Sequence, residues 1–286
     1  MRNLMRRLRK LRLPALILGP PILLLAVYAT LIEPRMIEVT RHEIAIKDLP
    51  PEFDGFKIVQ ISDIHVAVWV TNEDVRGFVA LANAQKPDAV VLTGDFLTRL
   101  SDDIPGIGKA LGGLKTERGT YAVLGNHDYW KDADAITKAL RDNGIEVLFD
   151  ETRDINVGKA RIRIVGTDDL WEGAPDFEKA FEGIEEHDAC IVLAHNPYAV
   201  VQMNARLADL VLSGHTHGGL IVLPGYGAIM SSSRLGRKVV SGMHRVNGIP
   251  VYISRGVGTG TTLVPIRFRC RPEIAVFTLR RSGNDP

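Results

Sequence analysis

The chain has 286 residues and is 45% apolar, so it can bury the core of one large domain or of two small ones. Its formal net charge is +1, and the six basic residues among the first 12 leave about −5 on the remainder, which gives no reason to expect nucleic-acid binding. Two cysteines are too few for a disulfide framework or for a four-thiolate zinc site.

The N-terminal segment has the pattern of a membrane anchor. Residues 1–13 are basic, and residues 14–32 form a stretch of 19 residues without a charge. A helix needs roughly 20 residues to cross about 30 Å of hydrocarbon. Because the positive cluster comes first, we predict a cytoplasmic N-terminus, a single-pass signal anchor in the cell membrane and an extracytoplasmic domain. The alternatives are export with cleavage near Ala29 and a domain that faces the cytoplasm.

After the anchor we predict a linker with an edge strand at residues 33–54 and one large domain at residues 55–286. In the first half of this domain, short apolar runs alternate with segments of helical periodicity. Strands are predicted at 56–61, 89–92 and 120–124, and helices at 72–84, up to about 115, and 133–142. This alternation is typical of a mostly parallel sheet that is covered by helices.

From residue 145 the pattern changes to shorter strands. Hairpin-like strands are predicted at 145–149, 154–157 and 161–165, with a turn at residues 158–159. A helix is expected at 176–183, and further strands at 189–194, 209–212, 220–223, 251–254 and 274–279. The apolar group Val66, Val68, Trp69 and Val70 is expected to pack in the core, with contact to a lipid chain or to the bilayer as the alternative.

Five clusters of metal-ligand residue types directly follow predicted strands. They are Asp63-Ile64-His65, Gly94-Asp95, Gly125-Asn126-His127-Asp128, Ala194-His195-Asn196 and Gly214-His215-Thr216-His217. Open α/β sheets place their ligands at such strand ends. Oxygen and nitrogen donors without cysteine suit manganese, iron or zinc. Because one ion would not need so many ligands, we predict two ions, with Asp95 as the carboxylate that bridges them.

In this order and spacing, the clusters resemble the signature of the calcineurin-like metallophosphoesterases, over roughly residues 55–280. The N-terminal apolar segment, Gly218-Gly219 and Arg255-Gly256-Val257-Gly258 are similar to the bacterial membrane-associated branch of that family, the YkuE- and YaeI-like phosphodiesterases. Leu220 departs from the pattern, because that branch is expected to have a glutamine there. This position lies outside the ligand set and bears on the substrate.

The resemblance implies a four-layer α/β/β/α sandwich of two mixed sheets flanked by helices, with two divalent ions at the strand ends. The ions would be Mn²⁺, Fe²⁺/Fe³⁺ or Zn²⁺, held in one case by Asp63, His65, Asp95 and His217 and in the other by Asp95, Asn126, His195 and His215. His127 would be the histidine that donates a proton to the leaving oxygen or stabilises charge on the phosphate. Asp128 would orient the imidazole of His127.

The activity that the resemblance implies is hydrolysis of a phosphoric ester by a metal-bound hydroxide. A phosphodiester is the favoured substrate. The predicted anchor in the bilayer at residues 14–32 suggests a lipid-linked phosphate or pyrophosphate, for example UDP-diacylglucosamine. The alternatives are a phosphomonoesterase or phosphoprotein phosphatase, and a membrane module that binds metals without catalysis. The sequence gives no indication of the oligomeric state.

Overall fold

The computed structural model describes residues 17–204, 206–260 and 264–282. The predicted basic terminus and the first three residues of the predicted membrane segment, 14–16, lie outside the described residues. The helices are α1 (Ile17–Arg35), α2 (Asn72–Ala84), α3 (Ile104–Leu111), α4 (Asn126–Lys131), α5 (Ala133–Arg141) and α6 (Phe177–Ala180). Two short 3₁₀ turns lie in the second half of the chain, Pro197–Val201 with five residues and His217–Gly219 with three.

The strands of the described residues form two large sheets and a small ribbon. In chain order they are β1 (Glu38–Ile46), β2 (Lys57–Ile61), β3 (Ala89–Thr93), β4 (Thr120–Val123), β5 (Glu146–Val147), β6 (Glu151–Val157), β7 (Ala160–Gly166), β8 (Cys190–Leu193), β9 (Leu210–Ser213), β10 (Val222–Leu223), β11 (Gly227–Ala228), β12 (Gly242–Val246), β13 (Ile249–Ile253) and β14 (Glu273–Arg281).

Both large sheets have six strands and are mixed. The first has the order β1-β14-β2-β3-β4-β5, in which β2 to β5 are parallel and β14 runs antiparallel to β2. The second has the order β12-β13-β9-β8-β7-β6, in which the four central strands are parallel and the two edge strands antiparallel. The parallel strands in each sheet deliver their carboxyl ends to one edge.

Three apolar clusters fix the order of the layers. Alternate residues of a strand point to opposite faces, so Val59 of β2 packs with helices α2, α3 and α5, whereas Ile58 faces the second sheet. Residues of both sheets share the central cluster, and a third cluster joins the second sheet to α6 and to the turn Pro197–Val201. The predicted four-layer α/β/β/α sandwich of two mixed sheets is thereby confirmed.

Helix α2 shows why the local predictions succeed. Thr71 caps its N-terminus by accepting a hydrogen bond from the backbone N–H of Asp74, whose side chain in turn accepts one from the backbone N–H of Thr71. Its buried residues are Val75, Phe78, Val79 and Ala82, which is the helical spacing seen in the sequence. The predicted bounds of this helix are confirmed.

Two predictions about the middle of the chain were wrong in part. Residues 145–149 do not enter a hairpin, because β5 is only two residues long and pairs in parallel with β4 at the edge of the first sheet. The hairpin begins at β6 and turns at Gly158, which has a φ of 61°. The predicted helix at 176–183 is shortened to the single turn Phe177–Ala180.

The apolar group that follows the first ligand cluster is divided between core and surface. Val66 and Val70 are buried, as expected for core packing. Val68 and Trp69 are 68% and 41% exposed, so the expectation was wrong for these two. The backbone N–H of Ala67 donates to the carbonyl of Val70, and this turn directs the two intervening side chains outward.

Helix α1 is, among the described residues, the one helix that is long and apolar enough to cross a bilayer by length and composition. Its C-terminal end belongs to the folded domain. The carbonyl of Ala29 accepts a hydrogen bond from Arg267 N–H at 2.8 Å, and the buried Glu33 carboxylate accepts one from Cys270 N–H at 2.6 Å. The C-terminal end of α1 is therefore fixed relative to the C-terminal part of the chain.

We expect Glu33→Ala to lower the free energy of unfolding by about 1–3 kcal/mol, because the buried Cys270 N–H loses its acceptor. The full chain in detergent should therefore unfold at a lower temperature in a thermal scan. Glu33→Gln keeps an acceptor oxygen and should lose less. Glu52→Ala, which removes an exposed carboxylate, is the control; an equal drop in that variant would contradict the role of Glu33.

Candidate metal centre

The seven predicted ligands lie together at the carboxyl ends of the parallel strands. β2 leads to Asp63 and His65, β3 to Asp95 and β4 to Asn126 in the first sheet, and β8 leads to His195 and β9 to His215 and His217 in the second. All seven side chains are buried. The two sheets thus contribute to one site from opposite sides of the central layer.

Five of these residues have a left-handed backbone conformation. The φ angles of Asp63, His65, Asp95, His215 and His217 lie between 50° and 70°. Residues other than glycine rarely adopt this conformation, and those that do are concentrated at functional sites. Hydrogen bonds between loops hold it in place: Asp63 N–H donates to the Gly94 carbonyl and His65 N–H to the Asp95 carbonyl, both at 3.0 Å.

A glycine is required at position 94 for two reasons: its φ is 83°, and neighbouring loops lie very close to its Cα atom. A Cβ atom at this position would lie 2.6 Å from the backbone nitrogen of Gly125 and 2.7 Å from Nδ1 of His195. A side chain here would push apart the loops that carry Asp95, Asn126 and His195. The glycine of the Gly94-Asp95 pair therefore permits the two sheets to bring their ligands together.

The first candidate group comprises Asp63, His65, Asp95 and His217, whose donor atoms all lie within 4.8 Å of one another. His65 Nε2 is 3.2 Å from Asp95 Oδ2 and 3.0 Å from His217 Nε2. His217 Nε2 is 3.5 Å from Asp63 Oδ1. Two carboxylates and two imidazoles facing a common point are a suitable donor set for Mn²⁺, Fe²⁺/Fe³⁺ or Zn²⁺.

The second candidate group shares Asp95 with the first and adds His195 and His215. His195 Nε2 is 3.3 Å from Asp95 Oδ2 and 3.2 Å from His215 Nδ1. Asn126 Oδ1 is buried and has no hydrogen-bond partner among the described residues. A buried amide oxygen without a donor is unfavourable unless a cation binds it, so Asn126 fits as the fourth ligand of this group.

The protonation states of Asp95, His215 and His217 favour cation binding, whereas that of His195 opposes it. Burial opposes ionisation of Asp95, but His195 and His65 hold the pKa of its carboxyl well below the usual range. Burial lowers the pKa of His215 to about 3 and that of His217 well below its ordinary value, so both imidazoles are neutral, as a metal requires. Burial also opposes protonation of His195, yet Asp95 raises its pKa, so a cation must displace a proton there.

The tautomer of His195 is set by a contact outside the two groups. Its Nδ1 lies 2.7 Å from the carbonyl oxygen of Thr93 at the end of β3. Since a carbonyl only accepts, Nδ1 carries the hydrogen and Nε2 is the atom that faces Asp95. This is the usual way in which the second nitrogen of a ligating imidazole is oriented.

His127 lies in the same pocket but in neither candidate group. Its ring centroid is 4.6 Å from that of His65 and 4.5 Å from that of Trp130, and its backbone N–H donates to Asp95 Oδ1 at 2.9 Å. Burial lowers the pKa of His127 to about 4. A phosphate anion in the pocket would act in the opposite direction, since nearby negative charge favours imidazolium.

Asp128 has a different environment from the one expected. Its carboxylate accepts hydrogen bonds from the backbone N–H groups of Asp95 and Phe96, both at 2.8 Å, and of Gly125 at 2.9 Å. Within the described residues no hydrogen bond joins Asp128 to the ring of His127. Asp128 therefore does not orient that imidazole through a hydrogen bond, as the sequence led us to expect. Its carboxylate instead acts as a clamp that joins the loop after β4 to the loop after β3. Burial raises the pKa of Asp128 to about 7.

Two tryptophans that sequence reasoning missed form walls of the pocket, which has a volume of about 480 Å³. The ring of Trp171 meets that of His215 edge-on, with 4.3 Å between centroids. The carboxylate of Asp169 holds Trp171 in place by accepting a hydrogen bond from its backbone N–H at 2.9 Å. A signal existed, because Thr167-Asp168-Asp169 follows strand β7 just as the ligand clusters follow theirs.

The end of α1 lies directly behind two of the ligand loops. Cys270, which binds Glu33 through its N–H, donates from its thiol to the carbonyl of His217 at 3.2 Å. The fully buried guanidinium of Arg267 donates to the carbonyls of Arg255 and Gly258. Gly258 N–H in turn donates to the Asp63 carbonyl at 2.8 Å. Helix α1 and the candidate metal centre are thus joined by two short chains of hydrogen bonds.

The fold and the site define a class of protein: a two-sheet α/β/β/α sandwich with an aspartate shared between two groups of candidate metal ligands at its strand ends. The chain belongs to the calcineurin-like phosphoesterase family, whose family model matches residues 56–219. The predicted resemblance is thereby confirmed, and the family indicates a metal-dependent phosphoesterase.

Three similar proteins cover most of the chain. The uncharacterized metallophosphoesterase YkuE of Bacillus subtilis is 36% identical over 90% of this chain and 90% of its own length. Phosphodiesterase YaeI of Escherichia coli is 32% identical over 86% and 90%, respectively. A transmembrane protein with metallophosphoesterase domain from Danio rerio is 30% identical over 90% of this chain and 61% of its own length.

Proposed function

We propose that this protein is a membrane-anchored phosphodiesterase with two divalent metal ions. The observation that supports it best is the position of Asp95, whose Oδ2 lies 3.2 Å from His65 in one ligand group and 3.3 Å from His195 in the other. A carboxylate in that position suits a pair of cations. We assign one ion to Asp63, His65, Asp95 and His217, and the other to Asp95, Asn126, His195 and His215.

The chemistry that the ions supply when bound is charge stabilisation on the phosphoryl oxygens and a lowered pKa of the attacking water. The chain's own groups provide the rest. Asp95, held by the backbone N–H of His127, keeps both ligand groups at one point. His127 lines the pocket together with Asp95, and we assign it the proton that goes to the leaving oxygen.

Replacing His127 with asparagine should lower kcat by about 10²–10⁴-fold, the usual contribution of a general acid. The metal content per chain should stay at the wild-type value, because His127 is in neither ligand group. Elemental analysis and steady-state kinetics of the same preparation measure the two quantities. A fall in metal content that matches the loss of activity would contradict the role assigned to this residue.

A diester fits the pocket better than a monoester. Among the described residues that line it, none is a lysine or an arginine, so the second negative charge of a monoester would have no fixed cation beside it. The walls instead carry Trp130, Trp171, Leu220 and Met230, which suit the second ester group of a diester. Leu220, the departure from the branch pattern, contributes to this apolar wall. The name of the Escherichia coli relative points the same way.

The test is a comparison of aryl phosphodiester, aryl monoester and pyrophosphate substrates with the purified full chain, alongside elemental analysis. We expect about two ions per chain and a higher kcat/KM for the diester. A higher kcat/KM for the monoester would favour a phosphomonoesterase or phosphoprotein phosphatase. Bound metal without hydrolysis of any ester would favour a non-catalytic metal-binding membrane module.

We further propose that α1 stays attached and holds the domain on the extracytoplasmic side of the membrane. Cleavage near Ala29 would separate the anchor within a segment that is bonded into the domain through the Ala29 carbonyl and Glu33. The name of the Danio rerio relative describes a transmembrane protein. Intact mass of the chain extracted from membranes tests retention, and protease accessibility in sealed vesicles tests the side; a product lacking residues 1–29 would contradict it.

A further inference from the structure

A groove of about 180 Å³ lies between the end of the anchor and the domain. One wall is the last turn of α1, with Thr30 and Pro34. Most residues of the other walls are apolar and include Ile37, Trp69 and Phe78, but the charged residues Arg35 and Asp74 also line the groove. Thr259 lines the groove as well, so the groove is largely, but not wholly, apolar.

The position of the groove relative to a bilayer follows from helix α1, whose last turn forms one of its walls. The apolar side chains of α1, among them Ile22, Leu23 and Leu24, are 63–70% exposed. Such a surface is stable only in contact with lipid or with other apolar groups. Since the last turn of this helix lines the groove, the groove lies where the helix leaves the hydrocarbon. The exposed Trp69 at its rim has the amphipathic ring that is enriched at membrane interfaces.

The other end of the groove adjoins the candidate metal centre. Thr259 lines both the groove and the pocket that holds the ligand groups. The next residue, Gly260, packs on the ring of His217 so closely that a Cβ atom would lie 2.8 Å from its Cδ2. Thr259 therefore contacts both the largely apolar groove and the pocket in which a phosphate would bind.

We infer that the groove binds one alkyl chain of a lipid-type phosphodiester whose phosphate lies at the metal centre. The inference rests on the proposed phosphodiesterase function and adds a substrate class to it. The chain of the substrate enters from the bilayer between α1 and Trp69, and its phosphate passes Thr259. The polar group on the other side of the phosphate is directed to the wider pocket beside Trp130 and Trp171.

The test is a series of 4-nitrophenyl alkyl phosphates with methyl, butyl and octyl chains, hydrolysed by the full chain in lipid nanodiscs. Burial of each methylene group should raise kcat/KM about fourfold until the groove is filled. We therefore expect the octyl-to-methyl ratio of kcat/KM to be at least about 10. Ile37→Trp, which fills the groove, and Trp69→Ala, which removes a wall with little risk to folding, should both lower this ratio.

The matched control is Leu81→Trp, which adds the same ring to an exposed position of α2 outside the groove. It should leave the ratio unchanged. Longer chains also concentrate in the bilayer, but that effect would be equal in all variants. An octyl-to-methyl ratio that is the same in Ile37→Trp and Leu81→Trp would therefore overturn the inference, while hydrolysis of the methyl ester would still support the proposed function.

A second measurement does not depend on turnover. An octyl phosphate with a diazirine on its chain is bound to the full protein and photolysed, and the labelled peptides are identified by mass spectrometry. We expect labels on the peptides that contain Ile37 and Trp69, and at least a tenfold loss of these labels in Ile37→Trp. Labels elsewhere would overturn the inference. Labels in the groove without hydrolysis of any ester would support the groove and contradict the phosphodiesterase function.

Discussion

Asp95→Asn is expected to remove both metal ions together and to lower kcat/KM by at least about 10³-fold, since loss of even one electrostatic contact to a transition state costs about 10²–10³-fold. The reason is geometric. Asp95 is the one residue that both candidate ligand groups contain. An amide oxygen keeps the size of the side chain but lacks the charge that offsets the repulsion between two cations.

Elemental analysis of the purified variant, with the occupancy of each metal per chain, checks this prediction. Asp102→Asn is the matched control, because Asp102 lies on the same loop after β3 but is exposed. It should keep both ions and full activity. Retention of one ion by Asp95→Asn would show that the two groups bind independently, and it would contradict the assignment of Asp95 as a shared ligand.

The parts of the fold and of the site that could be predicted are those with local causes. Helix α2 follows from its cap at Thr71 and from its apolar spacing. The ligand clusters follow from the rule that parallel strands place their carboxyl ends at one edge. That the two ligand groups share Asp95 was inferred from the number of donors and from the resemblance, and the geometry brings those residues together.

The parts that could not be predicted depend on pairing between distant segments. Strand β14 is inserted between β1 and β2, where Val276 pairs with Val59, and the sequence contains no local trace of that choice. The short β5 is a strand because β4 lies beside it. The exposure of Trp69 depends on a turn and on the end of α1, which is close in space but remote in sequence.

The role of Asp128 is the clearest case, because the sequence pattern suggests a partner for His127 whereas the carboxylate binds the main chain. Asp128→Ala would leave the buried N–H groups of Gly125, Asp95 and Phe96 without an acceptor. Each unsatisfied donor costs about 1–3 kcal/mol. Allowing for partial relaxation, we expect the free energy of unfolding to fall by about 3–5 kcal/mol.

The same substitution should weaken metal binding, because the clamp fixes the left-handed turn at Asp95, whose φ is 57°. Asp128→Asn retains one acceptor oxygen and should lie between Asp128→Ala and the wild type in both stability and metal content. His127→Asn provides the contrast, because it should lower kcat and leave both the stability and the metal content unchanged. Denaturant unfolding and elemental analysis of the three variants separate the two roles. If Asp128→Ala unfolded like the wild type, kept both ions and lost only kcat, the residue would act through the imidazole after all, and the clamp would have no bearing on the geometry of Asp95.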